Sequence, residues 1–232
     1  MSQPVKRQYN STRRQEQAGE TRLRILSAAH ELFVAKGYGG TTIAEIALMA
    51  GVAVETVYAA FRNKPTLLRQ VWFVSSRGDE EDVRLLDRPE IRAVLAEPDL
   101  ATRFGQHAIA VTAVFRRIAP LLAALQGAAA SEPAAAAMLA EWDEGRLDAC
   151  GTYAAAAAAT GQLAVSEAEC REVLAATMDG ALWQRLVAES GWADERFAAW
   201  LGRLWTTQLT TPPMPSSADQ SANPGRDTAS RQ

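Results

Sequence analysis

Apolar residues recur along this chain at three- and four-residue intervals over most of its length, the period of an α-helix rather than of a strand. Ile25, Leu26, Ala29, Leu32 and Phe33 give one apolar face to a helix expected over 20–36, closed by Gly37, Gly39 and Gly40. Ile43, Ile46, Ala47 and Ala50 repeat the pattern on a shorter helix. Thr42 and Glu45 stand three residues apart at its start, the spacing of a capping box in which hydroxyl and carboxylate each satisfy an orphan backbone N–H. Gly51 suits the left-handed stop that follows. Val54, Val57 and Phe61 form the inward face of a third helix, leaving Glu55, Thr56, Tyr58, Ala59, Ala60 and Arg62 on or near its outside. Two short helices across a Gly turn, the second with small or polar outward side chains, make the pattern of a DNA-binding helix-turn-helix.

Beyond Lys64, Pro65 fits the first position of a new helix, and the apolar segment 66–76 is expected to join two domains. Asp79, Glu80, Glu81 and Asp82 follow Gly78 without histidine or the alternating spacing of a calcium loop, and predict a solvated turn. From there the chain reads as helical to about 210. A short helix over 88–95 precedes a long one capped by Asp99, in which Pro120 is expected to force a kink or a split by removing a backbone donor. An alanine-rich helix over 134–160 is expected to let its neighbours approach closely. Two last helices are expected over 166–188, apolar on more than one face, and over 193–207. The expected fold is all-α, with about nine helices. It comprises a flexible basic arm (1–18), a three-helix helix-turn-helix domain (19–65), a helical effector-binding and dimerisation domain (66–210) and a disordered polar tail (211–232).

Charge sharpens this division. The net charge of −3 conceals about +5 over residues 1–70 and −8 over the rest, and Lys6, Lys36 and Lys64, the chain's lysines, all fall in the first part. A basic module on an acidic body predicts a polyanion partner at one end. Lys6, Arg7, Arg13 and Arg14 in the arm would suit phosphates or a narrow minor groove, the alternative being a plain solvated tail. Cys150, Cys170 and two histidines make no metal-ligand set, so neither metal nor cofactor is expected. The polar N-terminus lacks the apolar core of a signal peptide, and no run of 18 uninterrupted apolar residues occurs. The expectation is a cytoplasmic protein with reduced thiols and no membrane span. No Ser/His/Asp or Cys/His pair, phosphate loop or carboxylate pair supports an enzyme.

The runs RLRILSAAHELFVAKGY, TTIAEIALMAGVA and TVYAAFRNK, followed by LL, resemble the DNA-binding domain of the TetR family of bacterial transcriptional regulators over residues 15–71. Tyr58, Phe61 and Lys64 carry the most diagnostic part, and Ala47, Gly51 and Val57 hold the family's small, turn and anchor places. One departure is Ala53, where the family has Ser or Thr as N-cap of the recognition helix, a loss of about 1 kcal/mol.

The resemblance implies backbone contacts to double-stranded DNA from Tyr58 and Lys64, joined by Thr42 and the helix-start amides. Base reading would fall to Val54, Glu55, Ala59 and Ala60, with Thr56 nearby and Arg62 as a further backbone contact. It also implies a homodimer on a palindromic operator, paired through the last two helices, with Leu174, Ala181, Leu182, Phe197, Trp200, Leu201, Leu204 and Trp205 as the expected interface; the alternative for that face is intramolecular core. The larger domain would enclose a small-molecule effector, expected to be hydrophobic or aromatic, lined by Phe104, His107, Val111, Phe115, Trp142, Tyr153, Met178 and Trp183. His107 is the one titratable group in that apolar stripe, and a satisfied core histidine is its other reading. The function implied is a ligand-released repressor; the alternative is a TetR-like DNA-binding protein with no small-molecule effector, acting as an architectural or protein-partnered factor.

Overall fold

The computed structural model describes residues 5–79, 81 and 83–210, with side chains from residue 16 onward. Ten α-helical segments occur among the described residues, and the fold is all-α.

The first four helices make the N-terminal unit. Helix α1 (Val5–Lys36) starts well before the expected point, so most of the segment expected as a flexible arm is helical instead. The physical reason is local: from Val5 to Ala18 the sequence carries no Gly or Pro and many Arg, Gln and Glu, all good helix formers. Thr41, buried just before α2, donates its hydroxyl to the carbonyls of Leu32 and Gly37 and so ties off the end of α1. Helix α2 (Ile43–Ala50) has the expected capping box, with the Glu45 N–H donating to the Thr42 hydroxyl at 3.2 Å and the Thr42 N–H to the Glu45 carboxylate at 2.8 Å. Gly51 closes it at φ 66°, where a β-carbon would be strained. Helix α3 (Val54–Phe61) leaves α2 at a bend of 106°, within the range of a helix-turn-helix. Helix α4 (Lys64–Arg77) follows an Asn63 cap that accepts from the Thr66 N–H at 2.8 Å. Ile25, Phe33, Ile46, Val57, Phe61 and Leu67 close the core of this unit.

The second unit is built on α6 (Leu100–Ala128), with α10 (Asp194–Leu209), α7 (Pro133–Ala158), α4 and α5 (Pro89–Ala96) packed around it. By length and mean hydropathy α6 could cross a membrane, yet it holds Arg103, Arg116 and Arg117 and buries much of its surface against the other helices. It runs unbroken through Pro120, so the expected split does not occur; Pro120 lies on the exposed side. The helix expected over 166–188 does break. Helix α8 (Glu167–Thr177) stops, and α9 (Ala181–Trp183) restarts and continues as a π-helical turn over Gln184–Glu189. Gly180 causes this: its φ is 89°, and an added β-carbon would lie 3.2 Å from Leu122. Asp179 then accepts from the Ala181 N–H at 2.8 Å to start the new segment.

The acidic cluster after α4 is a fastened turn rather than a purely solvated one. Asp79 receives both terminal nitrogens of Arg88, at 2.6 and 2.7 Å. Glu80 and Asp82 lie outside the described residues, as do 1–4 and the tail expected over 211–232.

Candidate nucleic-acid interface and effector cavity

On the recognition helix the inward residues Val57 and Phe61 are buried, while Glu55, Tyr58, Ala59, Ala60 and Arg62 are exposed. Val54 and Thr56 are half-buried, and Val54 packs on the core, so it offers less to a groove than its neighbours. Tyr58 is half exposed, although Phe61 one turn on is sealed. Ala53 stands at the N-cap with no side-chain hydrogen bond, so α3 is held at its start by packing. Arg62 ends α3 at φ 64°, a rare conformation for a residue with a β-carbon; its N–H donates to the Tyr58 carbonyl at 2.8 Å. This turn sets the exposed Arg62 between Tyr58 and the Asn63 cap of α4.

Lys64 is half-buried. Its ammonium lies 4.2 Å from the centre of the Tyr38 ring, a cation–π contact. Burial lowers its pKa, while Glu132 and Glu45 work in the opposite direction. Glu132 reaches the N-terminal unit from the start of α7, approaching Gly39 so closely that a β-carbon there would meet its carboxylate at 2.8 Å. Sequence pattern gave no sign of this contact, because the two residues are 93 positions apart.

The second unit contains a cavity of about 310 Å³ between α4, α5, α6 and α7, at the lower end of the range typical of small-molecule sites. Of the residues expected to line it, His107, Val111, Phe115, Trp142, Tyr153 and Met178 do. Phe104 and Trp183 do not. Phe104 sits one turn before His107 and is turned to Trp205 of α10, with ring centres 6.1 Å apart. Trp183 follows the Gly180 break, and its indole N–H donates to Asp194 at 3.2 Å. Trp72 and Phe73 of α4, Leu85 and Leu86 of the 3-10 turn Leu85–Asp87, and Met138 of α7 were not foreseen. Their signal was weak, since a tryptophan on a helix that joins two domains reads equally well as core.

His107 is enclosed, stacks on Tyr153 with ring centres 3.4 Å apart, and lies 5.0 Å from the Trp205 ring. Among the described residues its Nε2 has no hydrogen-bond partner, so it is not the satisfied core histidine of the alternative reading. Burial drives its pKa from 6.5 down to about 3, which keeps the imidazole neutral. Burial also raises the Tyr153 pKa. The charges on the wall are engaged with one another: Arg84 with Asp148 at 3.2 Å, Arg69 of α4 with Glu141, and Arg146 with Asp143 at 2.5 Å. Arg77 lies over the Phe73 ring at 4.7 Å.

The residues expected at a dimer interface divide in two. Leu174, Phe197, Leu201 and Trp205 are sealed inside the chain by its own helices and are corrected to core. For the three on α10 the cause is the packing of α10 along α6, close enough that a β-carbon on Gly202 would lie 3.1 Å from the Gly105 Cα, while Leu174 is on α8, which packs on α7. Ala181 is exposed, and Leu182, Trp200 and Leu204 are half-buried. Trp192 and Trp200 meet edge-on beside them, at 6.1 Å.

Comparison with known proteins converges on one family. Residues 25–71 match the model described as bacterial regulatory proteins, tetR family. The transcriptional regulator TtgR of Pseudomonas putida is 42% identical over 57 residues, covering 25% of this chain and 27% of that protein. AcrR of Shigella flexneri is 38% identical over 60 residues, covering 26% and 28%. The chain thus matches only about a quarter of the length of these curated relatives. In overall fold it is similar to the SmeT–triclosan complex, with a TM-score of 0.63 at 19% identity over 85% of this chain and 96% of that one. NalD of Pseudomonas aeruginosa, the secondary repressor of the MexAB-OprM multidrug efflux pump, gives 0.60 at 22% identity over 83% and 98%.

Proposed function

We propose, for a chain that belongs to the TetR family of bacterial regulatory proteins through its residues 25–71, that it is a homodimeric repressor released from a palindromic operator by a small apolar or aromatic ligand. The family assigns it transcription regulation through a DNA-binding helix-turn-helix. The dimer, the operator symmetry, the sign of regulation and the ligand are the proposal.

One observation carries it. Helix α4 begins at Lys64, beside the recognition helix, and supplies Trp72 and Phe73 to the cavity wall two turns later. A molecule filling the cavity therefore bears on the same rigid rod that holds the reading head. A ligand weakens DNA binding only by its preference for the non-binding arrangement, and a shared helix gives that preference a mechanical route. Two structural neighbours are consistent with this use of the fold: one is a complex with triclosan, the other a repressor of an efflux pump.

A second copy would cover the half-buried strip of Leu182, Trp192, Trp200 and Leu204, which the described residues leave open. Two heads related by a two-fold axis then read two half-sites, because one short helix contacts too few base pairs for a specific site. Fluorescence anisotropy on labelled DNA, with and without a cavity-sized aromatic compound, tests the proposal. Release on adding the compound supports it; DNA binding indifferent to every cavity-filling compound favours the effector-free reading.

A further inference from the structure

We infer that the cavity takes an uncharged, flat aromatic molecule bearing a hydroxyl group, and that His107 is the residue that receives the hydroxyl. The inference rests on the reading of the cavity as an effector site and adds the chemistry of the ligand.

Three observations support it. First, His107 lines the cavity and its Nε2 is buried without a hydrogen-bond partner among the described residues, and a buried polar atom left unpaired is costly unless something arrives to meet it. A neutral imidazole offers one donor and one acceptor nitrogen, and a hydroxyl can serve as partner to either, so the match holds for both tautomers. Second, the ring is held in place by the Tyr153 stack and the nearby Trp205, so little rotamer freedom is lost on binding. Trp72 and Trp142 add aromatic wall, to which a flat ring is suited.

Third, the wall argues against a charged ligand. The carboxylates of Glu141 and Asp148 are each bridged to an arginine, so a cation would have to break an ion pair to be neutralised. Of the arginines on the wall, Arg84 is held by Asp148 and Arg146 by Asp143, while Arg77 lies over the Phe73 ring and donates to the Glu81 carbonyl, so an anion would have to draw one of them from its partner. An uncharged molecule asks neither.

The test is calorimetric titration of the full chain at neutral pH with 2-naphthol, naphthalene and benzyltrimethylammonium. The expected result is that 2-naphthol binds at least about tenfold more tightly than naphthalene, the worth of satisfying one buried polar atom. That ratio should fall to near one in His107→Phe and His107→Leu, with naphthalene affinity little changed. Should both variants fail to fold, nitrogen NMR of histidine-labelled wild-type protein replaces them: the His107 Nε2 signal should shift with 2-naphthol and not with naphthalene. Equal affinity for 2-naphthol and naphthalene overturns the inference and leaves the cavity as an effector site. Tighter binding of benzyltrimethylammonium overturns it likewise. No binding of any probe, with Trp72 and Trp142 fluorescence unchanged, overturns both the inference and the effector reading beneath it.

Discussion

The indole of Trp72 on α4 meets that of Trp142 on α7 edge-on, with ring centres 5.3 Å apart and planes at 66°. Arg69 and Glu141, one turn away, join the same two helices by an ion pair. Below this seam lies the cavity; above it, α4 runs into the helix-turn-helix. Arg117 of α6 holds the other end of α4, donating to the carbonyls of Ser75 and Ser76 at 3.0 and 3.1 Å. Helix α4 is thus gripped at its lower end and pressed at its middle, as a lever between ligand and DNA would be.

Loosening the seam should uncouple the two sites. Trp142→Leu keeps an apolar wall but removes the edge-on contact. DNA affinity without ligand is expected to stay near wild type, while the weakening caused by a bound ligand, about 5–150-fold in typical coupled systems, shrinks toward none. Anisotropy titrations at saturating ligand measure this directly. Full ligand response in the variant would remove the Trp72–Trp142 contact from the mechanism.

Ala53 is a second point of intervention. It has the extended backbone of an N-cap, φ −72° and ψ 150°, but no side-chain acceptor. Ala53→Ser should supply one and stabilise the chain by about 1 kcal/mol. For a domain of this size that is a rise of about 2–4 °C in the thermal midpoint, readable by circular dichroism. A lowered midpoint would show that the start of α3 cannot accommodate the hydroxyl.

These two sites illustrate what the sequence made legible. The cap, the Gly51 stop and the inward face of α3 depend on neighbours within four residues, so spacing alone exposed them. The same local logic located His107 and Tyr153 on apolar stripes. It failed where the decision was tertiary. Leu201 and Trp205 show the same periodicity whether α10 pairs with α6 or with a second copy, and only the close approach at Gly105 and Gly202 settles which. Gly180 looked like a residue inside a helix because nothing in the sequence announced that Leu122 would lie against it. A stripe on α6 wide enough to face both α7 and α10 does not say which residue turns toward which neighbour, and Phe104 turns to α10 rather than into the cavity.

Phosphate contact should be separable from base reading. Tyr58→Phe and Lys64→Ala are expected to weaken binding to every DNA sequence, and Lys64→Ala to reduce the dependence of log affinity on log salt by about one unit of slope. Ala59→Arg, by contrast, should change the preferred sequence. An unchanged slope in Lys64→Ala would mean that its ammonium remains over the Tyr38 ring when DNA is bound.

The acid side of the stability curve should report His107. Its folded-state pKa of about 3 lies below the ordinary 6.5, so the unfolded chain binds the proton more readily. Its influence is therefore absent above about pH 6.5 and increasingly destabilising as pH falls toward 3. His107→Phe, if folded, should lose less stability than wild type over that interval in denaturant titrations. Parallel curves would mean that the imidazole is hydrated after all.

The central claim, a two-fold reader of duplex DNA, is tested most directly by selection from a random double-stranded library with the full chain. The expected product is an inverted repeat with half-sites spaced by about one helical turn or slightly more. Enrichment of a single unrepeated half-site, or of no sequence, would contradict it.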